Sequence, residues 1–145
     1  MPTLNMKVMR TNDFNFNAFM EDYASEIGGQ FSEYDQTKSV IIVPLDENRF
    51  QAVLGVMKFN EKFNKTGIEF SSKVCPYSED IDCKGLIEEN AKTCYAKFII
   101  VDDFIKVEGS AFLNSVTRDG LKEIIVEVAQ LADEWELKLT GLDLN

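Results

Sequence analysis

Apolar residues recur at three- and four-residue steps through the last part of the chain. Leu121, Ile124, Ile125, Val128, Leu131, Ala132, Trp135 and Leu139 form one stripe between Thr117 and Leu139. The stripe is wide enough to be the core-facing side of an α-helix rather than a coiled-coil seam. Thr117 is placed to accept from the free N–H groups of the first turn, and Asp119 sits where the helix dipole favours negative charge. Gly141, just past the stripe, serves as a left-handed stop. Burying each large aliphatic side chain gains roughly 1.5–3 kcal/mol. A flat apolar surface must therefore lie under this helix, and extended segments upstream supply it.

An earlier helix is predicted over 15–27, where Phe16, Phe19, Met20, Tyr23 and Ile27 share a face and Gly28-Gly29 ends it. Residues 1–13 fit a short strand, a loose arm or a helical lead-in equally well. Phe31 to Tyr34 reads as a weak extended lead-in. Ser39 to Leu45 is β-branched and short, a strand that Pro44 closes or places at an edge. After turn chemistry at Asp46–Asn48 comes a strand from Arg49 to Phe59 with apolar residues on both faces. Phe50, Ala52, Leu54 and Val56 lie on one, and Val53, Met57 and Phe59 on the other. Such a strand is central, or its outer face meets another surface. Val53, Met57 and Phe59 are the expected partner-binding residues.

Ile68 to Cys75 alternates cleanly. Ile68, Phe70 and Val74 oppose Glu69, Ser71 and Lys73, giving a strand with one wet face. A short helix follows within 77–92, capped by Asp82 and anchored by Leu86 and Ile87. Cys94–Val101 and Phe104–Leu113 flank Asp102-Asp103 as a hairpin. Consecutive strands with short loops pair antiparallel. The expected fold is therefore α+β, a two-layer sandwich in the order α-β-β-β-α-β-β-α.

Composition narrows the function. The 145 residues are 45% hydrophobic and 28% charged, a globular make-up at a length suited to one domain over 1–145. Fifteen basic residues against 25 acidic ones leave a net charge of −10. That argues against nucleic acid or anionic membrane as partner, since the main electrostatic term is repulsive. It is compatible with a basic partner. Histidine is absent, which excludes Ser–His–Asp and Cys–His nucleophile pairs and removes the commonest zinc ligand. The three cysteines, Cys75, Cys83 and Cys94, form neither a zinc knuckle nor a disulfide framework. The N-terminal residues lack an apolar signal core, and no apolar run approaches a membrane span. The expected location is the cytoplasm.

No motif carries chemistry. An EF-hand reading started at Asp80 puts Asp82 and Gly85 in place, but Lys84 stands at a ligand position and Ala91 where the bidentate glutamate belongs. Asp102 and Asp103 are turn residues, in water where neither is tuned for acid–base work. Cys83 near a helix start lacks the histidine or second cysteine that would activate it. No glycine pattern fits a phosphate loop or dinucleotide fingerprint. The reading is of a protein that is not an enzyme, with no cofactor and no metal.

Three stretches resemble the type III secretion chaperone-like superfamily, which includes the Tir-chaperone type and bacterial sensory-transduction-regulator relatives. They are Asn90-Ala-Lys-Thr-Cys-Tyr-Ala-Lys-Phe98, the Val-Asp-Asp-Phe-Ile-Lys-Val hairpin at 101–107, and Ala132-Asp-Glu-Trp-Glu136. The similarity is clearest from Asn90 to Leu142 and extends to the order of elements. It implies a single domain of that kind, a protein-binding module that holds a partner's segment in extended form and is often a homodimer. Dimer contacts in the family use the middle helix and the following strand, which here means Leu86, Ile87, Tyr95 and Ile99. The function expected is thus a chaperone-like or regulatory adaptor whose partner is another protein. The charge supports an alternative, an acidic immunity- or inhibitor-type protein that neutralises a basic enzyme.

Overall fold

The computed structural model of the protein describes residues 14–141. Among these residues three α-helices and six strands run in the order α1 (Phe16–Glu26), β1 (Gln30–Asp35), β2 (Lys38–Pro44), β3 (Phe50–Asn60), β4 (Lys65–Pro76), α2 (Cys83–Glu89), β5 (Lys97–Val101), β6 (Phe104–Phe112) and α3 (Arg118–Thr140). The strands form one antiparallel sheet, ordered β1-β2-β3-β4-β6-β5. The fold is α+β, as the pattern of the sequence predicts. Residues 1–13, and Leu142 at the end of the resembling segment, lie outside the described residues.

One strand more precedes α2 than the sequence suggested. The lead-in at 31–34 is β1, a full hairpin partner of β2. Its signal was weak because it is an edge strand whose residues are nearly all exposed, so only Phe31 packs against the core. The short middle helix differs too. Leu86 anchors it, but Ile87 is 68% exposed, since a seven-residue helix has room for little more than one buried turn.

Local chemistry sets the helix ends. The side chain of Asn15 accepts from the Ala18 N–H and opens α1. Gly28 closes it with φ of 73°, a conformation that costs a residue without Cβ nothing. Asp82 and Thr117 cap α2 and α3 by accepting from the N–H groups of Gly85 and Gly120. Gly141 ends α3 in the left-handed region. The stripe on α3 points inward: Leu121, Ile124, Ile125, Val128 and Ala132 are buried, and Leu131, Trp135 and Leu139 pack at its margin.

α1 and α3 lie on the same face of the sheet. Gly55, Phe70 and Gly109 stand in register across β3, β4 and β6. A Cβ on Gly55 would meet Met20 and Phe16 of α1 at 2.6 and 2.8 Å, and one on Gly109 would meet Ile124 of α3 at 2.8 Å. Phe70 fills the space between these two seats, with its ring 6.4 Å from that of Phe16. Two bare backbone positions flanking one large ring thus let both helices approach the sheet closely. Ion pairs close the seam outside the core, with Lys122 bonded to Glu26 at 2.9 Å.

The core face also holds charge. Asp133 and Glu136 on α3 are buried. Asp133 accepts from the Arg49 guanidinium at 2.9 Å, and Arg49 also reaches Glu47 at 2.8 Å. These bonds tie the start of β3 to the far end of α3 and keep Arg49 more firmly protonated than usual, through its hydrogen bonds to Asp133 and Glu47. Among the described residues no helix is long and apolar enough to cross a membrane.

Candidate functional site

Both long helices cover one side of the sheet, so among the described residues the other side is open. Its composition changes across the strands. The middle outward positions of β4 and β6 are polar, as a wet face requires: Glu69, Ser71 and Lys73 on one, Lys106, Glu108 and Ser110 on the other, with Phe104 and Phe112 at the two ends of β6 lying under Lys73 and Lys65. β2 and β3 break the rule. Their outward positions carry Val40, Ile42, Ala52, Leu54 and Val56, all half-buried. Val40 pairs with Leu54 and Ile42 with Ala52, so these side chains form one continuous aliphatic patch. Tyr34, 66% exposed, stands beside it. Tyr34, Val40, Ala52, Leu54, Lys73 and Lys106 border a shallow depression of about 360 Å³.

The expected partner-binding residues lie on the opposite face. Val53 has no accessible surface and cannot touch a docked partner in this fold. Met57 is half-buried against the core. Phe59, near the end of β3, is 56% exposed. Alternation divided β3 correctly into two apolar faces, but periodicity alone cannot say which one the helices take. The face free to bind is that of Ala52, Leu54 and Val56.

The expected dimer residues divide as well. Leu86 is 4% exposed and belongs to the core, a correction that follows from its being the one anchor of α2. Ile87 is open to solvent, and Ile99 is half-buried on the uncovered face of β5. Tyr95 is half-buried, and its hydroxyl donates to Glu123 at 3.0 Å, which raises the phenol's pKa. It lies before β5 rather than on it. Exposed Ile100 and Val101 follow on β5, which α2 contacts.

β5 is an edge strand, and two side chains hold it in place. The Phe98 N–H donates to the Asn90 side-chain oxygen at 2.7 Å, so Asn90 takes the place of a neighbouring strand at that one residue. Glu127 on α3 accepts from the N–H groups of Cys94, Tyr95 and Ala96 at 3.2, 2.6 and 2.6 Å. That is why the predicted strand from Cys94 begins only at Lys97: its first residues turn inward around a carboxylate. Partial burial pushes the Glu127 pKa up, but the three backbone donors and Lys97 outweigh it, and the net shift is downward. Beyond Phe98, the N–H and C=O of Ile100 face away from the sheet by strand alternation.

Sequence reading found these elements but not the open face. Its signal was present as apolar residues at every second position of both Val40–Ile42 and Ala52–Val56, in strands close enough to pair. The basic residues, which look scattered along the chain, converge there too. Lys38, Lys58, Lys65, Lys73 and Lys106 occupy outward positions of β2, β3, β4 and β6. Asp102 and Asp103, both with positive φ, make the tight hairpin turn, as their spacing predicted. The chain matches no model of a known protein family and no curated protein sequence.

Proposed function

We propose that the protein is a non-enzymatic binding module of the chaperone-like or adaptor kind, which holds a segment of another polypeptide against its open sheet face. The observation that carries this reading is the aliphatic patch Val40, Ile42, Ala52, Leu54 and Val56, on a side of the sheet that no helix among the described residues covers. Residues facing only water on an antiparallel sheet are ordinarily polar, and the middle stretches of β4 and β6 in the same sheet keep that pattern. The resemblance to the type III secretion chaperone-like superfamily supports the same class of function. It also supports a homodimer built on α2 and β5, with Ile87 and Ile99 from the expected set joined by Ile100 and Val101. Edge strands with apolar flanks favour pairing with a second chain.

Co-purification of bound protein with the wild type and with Leu54→Glu and Val56→Glu tests the binding face. The partner is lost in both variants while their thermal unfolding stays unchanged. An unaltered partner set on folded variants refutes the assignment. Ile87→Asp and Ile100→Asp halve the mass measured by sedimentation equilibrium if α2 and β5 build the dimer. The acidic-inhibitor reading draws support from charge: with five lysines gathered on the open face, the rest of the surface is more acidic than the net −10. Its signature is complex formation with a basic enzyme that 0.5 M salt abolishes, because exposed charges are screened.

A further inference from the structure

We propose that the segment held on the open face is acidic, with carboxylates near both ends and aliphatic residues between them. This rests on the binding role proposed above and names the chemistry of the partner.

The inference comes from where charge sits on a strongly acidic chain. The outward positions of β4 read Lys65, Gly67, Glu69, Ser71 and Lys73. The middle of that strand presents only one long side chain, with a lysine at each end. Lys58, which pairs with Gly67, sits near the Lys65 end, while Lys38 pairs with Val56 and so lies level with Glu69 at the middle of β4. Lys73 is directly opposite Lys106 at the other end. Two like charges facing each other across a ladder repel, and an incoming carboxylate relieves that repulsion. Between Lys58 and Lys73 along the ladder β3 presents Val56 and Leu54, which pair with Glu69 and Ser71, and the aliphatic patch continues from them onto β2.

The surface is shaped to match. The depression beside Leu54 takes in Lys73 and Lys106, and a second of about 300 Å³ takes in Lys58, Gly67 and Phe112. Both run over β4. From Lys65 to Lys73 an extended chain covers about 27 Å, the length of a segment of about eight residues. Two acids lie between the ends. Glu69 is already bonded to Lys58 at 3.1 Å, and Glu108 is half-buried beside it. Standing at the centre of β4 and β6, they confine the attraction for carboxylates to the ends and leave apolar contact to Leu54 and Val56 on the neighbouring strand.

Nucleic acid also meets lysines, but the rings on this face, Tyr34, Phe104 and Phe112, stand apart at its margins and form no continuous row on which bases stack. The remaining acidic surface also repels a long polyanion.

Two synthetic ten-residue peptides separate the possibilities. Both have an alternating Val/Leu centre; one carries a Glu-Asp pair at each end and the other a Lys-Lys pair. Binding to the full chain is followed by fluorescence anisotropy, with methyl NMR shifts of Val40, Leu54 and Val56 mapping the contact. The acidic peptide binds and moves those methyls. Lys73→Glu with Lys106→Glu weakens it about tenfold, the size expected of a few partly exposed ion pairs. Raising salt weakens it further. Equal binding of both peptides, or no effect of the double variant, overturns the acidic preference and leaves the binding face standing. No methyl shift with either peptide at millimolar concentration overturns both the acidic preference and the binding face. Stronger binding of oligothymidylate or of phosphatidylserine vesicles assigns the face to those ligands and also overturns the proposal.

Discussion

Removing the Glu127 carboxylate tests how the edge strand is held. In Glu127→Ala three backbone N–H groups lose their acceptor. Cys94 is exposed and Tyr95 half-exposed, so water replaces the lost bonds there at small cost. Ala96 is fully buried, and its N–H stays unsatisfied. A stranded buried donor costs about 1–3 kcal/mol, and bonds to a charged acceptor are worth about 1.5–3 kcal/mol when dry. Discounting the two wetter bonds, the expected loss is about 3 kcal/mol, or roughly 10 °C in Tm for a chain of this size. The pH dependence provides an independent check. Glu127 has a folded pKa below its ordinary value of 4.5. Its contribution is therefore complete above that value and is lost as pH falls through the folded pKa. Urea unfolding at pH 7 shows the full gap between wild type and Glu127→Ala, and the gap closes as pH drops below 4.5. Glu127→Gln keeps one neutral acceptor, loses about half as much, and shows no such dependence of its own. A gap equal at pH 7 and pH 3, or under about 0.5 kcal/mol, would refute the carboxylate clamp.

Three other outcomes follow from the packing and the thiols. Gly29→Ala places a Cβ 2.1 Å from the Ile42 carbonyl oxygen; backbone cannot yield as a side-chain tip does, so equilibrium unfolding shows a loss of at least about 2 kcal/mol. Arg49→Met strands Asp133, whose side chain is 7% exposed, while Asp133→Asn strands Arg49, which is 26% exposed. The first therefore costs more, about 3 kcal/mol against about 1 kcal/mol, and a reversed order in chemical denaturation refutes the assignment. Cys75 is buried, with its pKa raised by desolvation and by Glu136. Native thiol titration therefore labels exposed Cys94 at once, and Cys75 reacts only in denaturant.

How far the chain could be read before its structure depended on the range of each signal. The caps at Asp82 and Thr117, the stop at Gly141 and the turn at Asp102-Asp103 involve neighbours a few residues apart, and all are where the sequence put them. The α3 stripe was legible because helical period and burial coincide over many turns. β1 was faint because an edge strand with one apolar contact leaves little pattern. Asp133 and Glu136 interrupt the stripe, and the partner of Asp133, Arg49, is 84 residues away. Glu127 looked like a solvated glutamate on a helix until the fold brought a loop more than thirty residues upstream to it.

What the residues determined unaided is the kind and order of the elements other than β1 and the division of the predicted strands into two faces, since both follow from local backbone period. Only the tertiary structure decided which face of β3 the helices take. That choice depends on Gly55 and Gly109 opening seats for α1 and α3 on one side of the sheet. Once the helices occupied that side, Val53 became core, and Leu54, Val56 and the dispersed lysines were left together on the other. Association of this sort is long-range, and no window of sequence contains it.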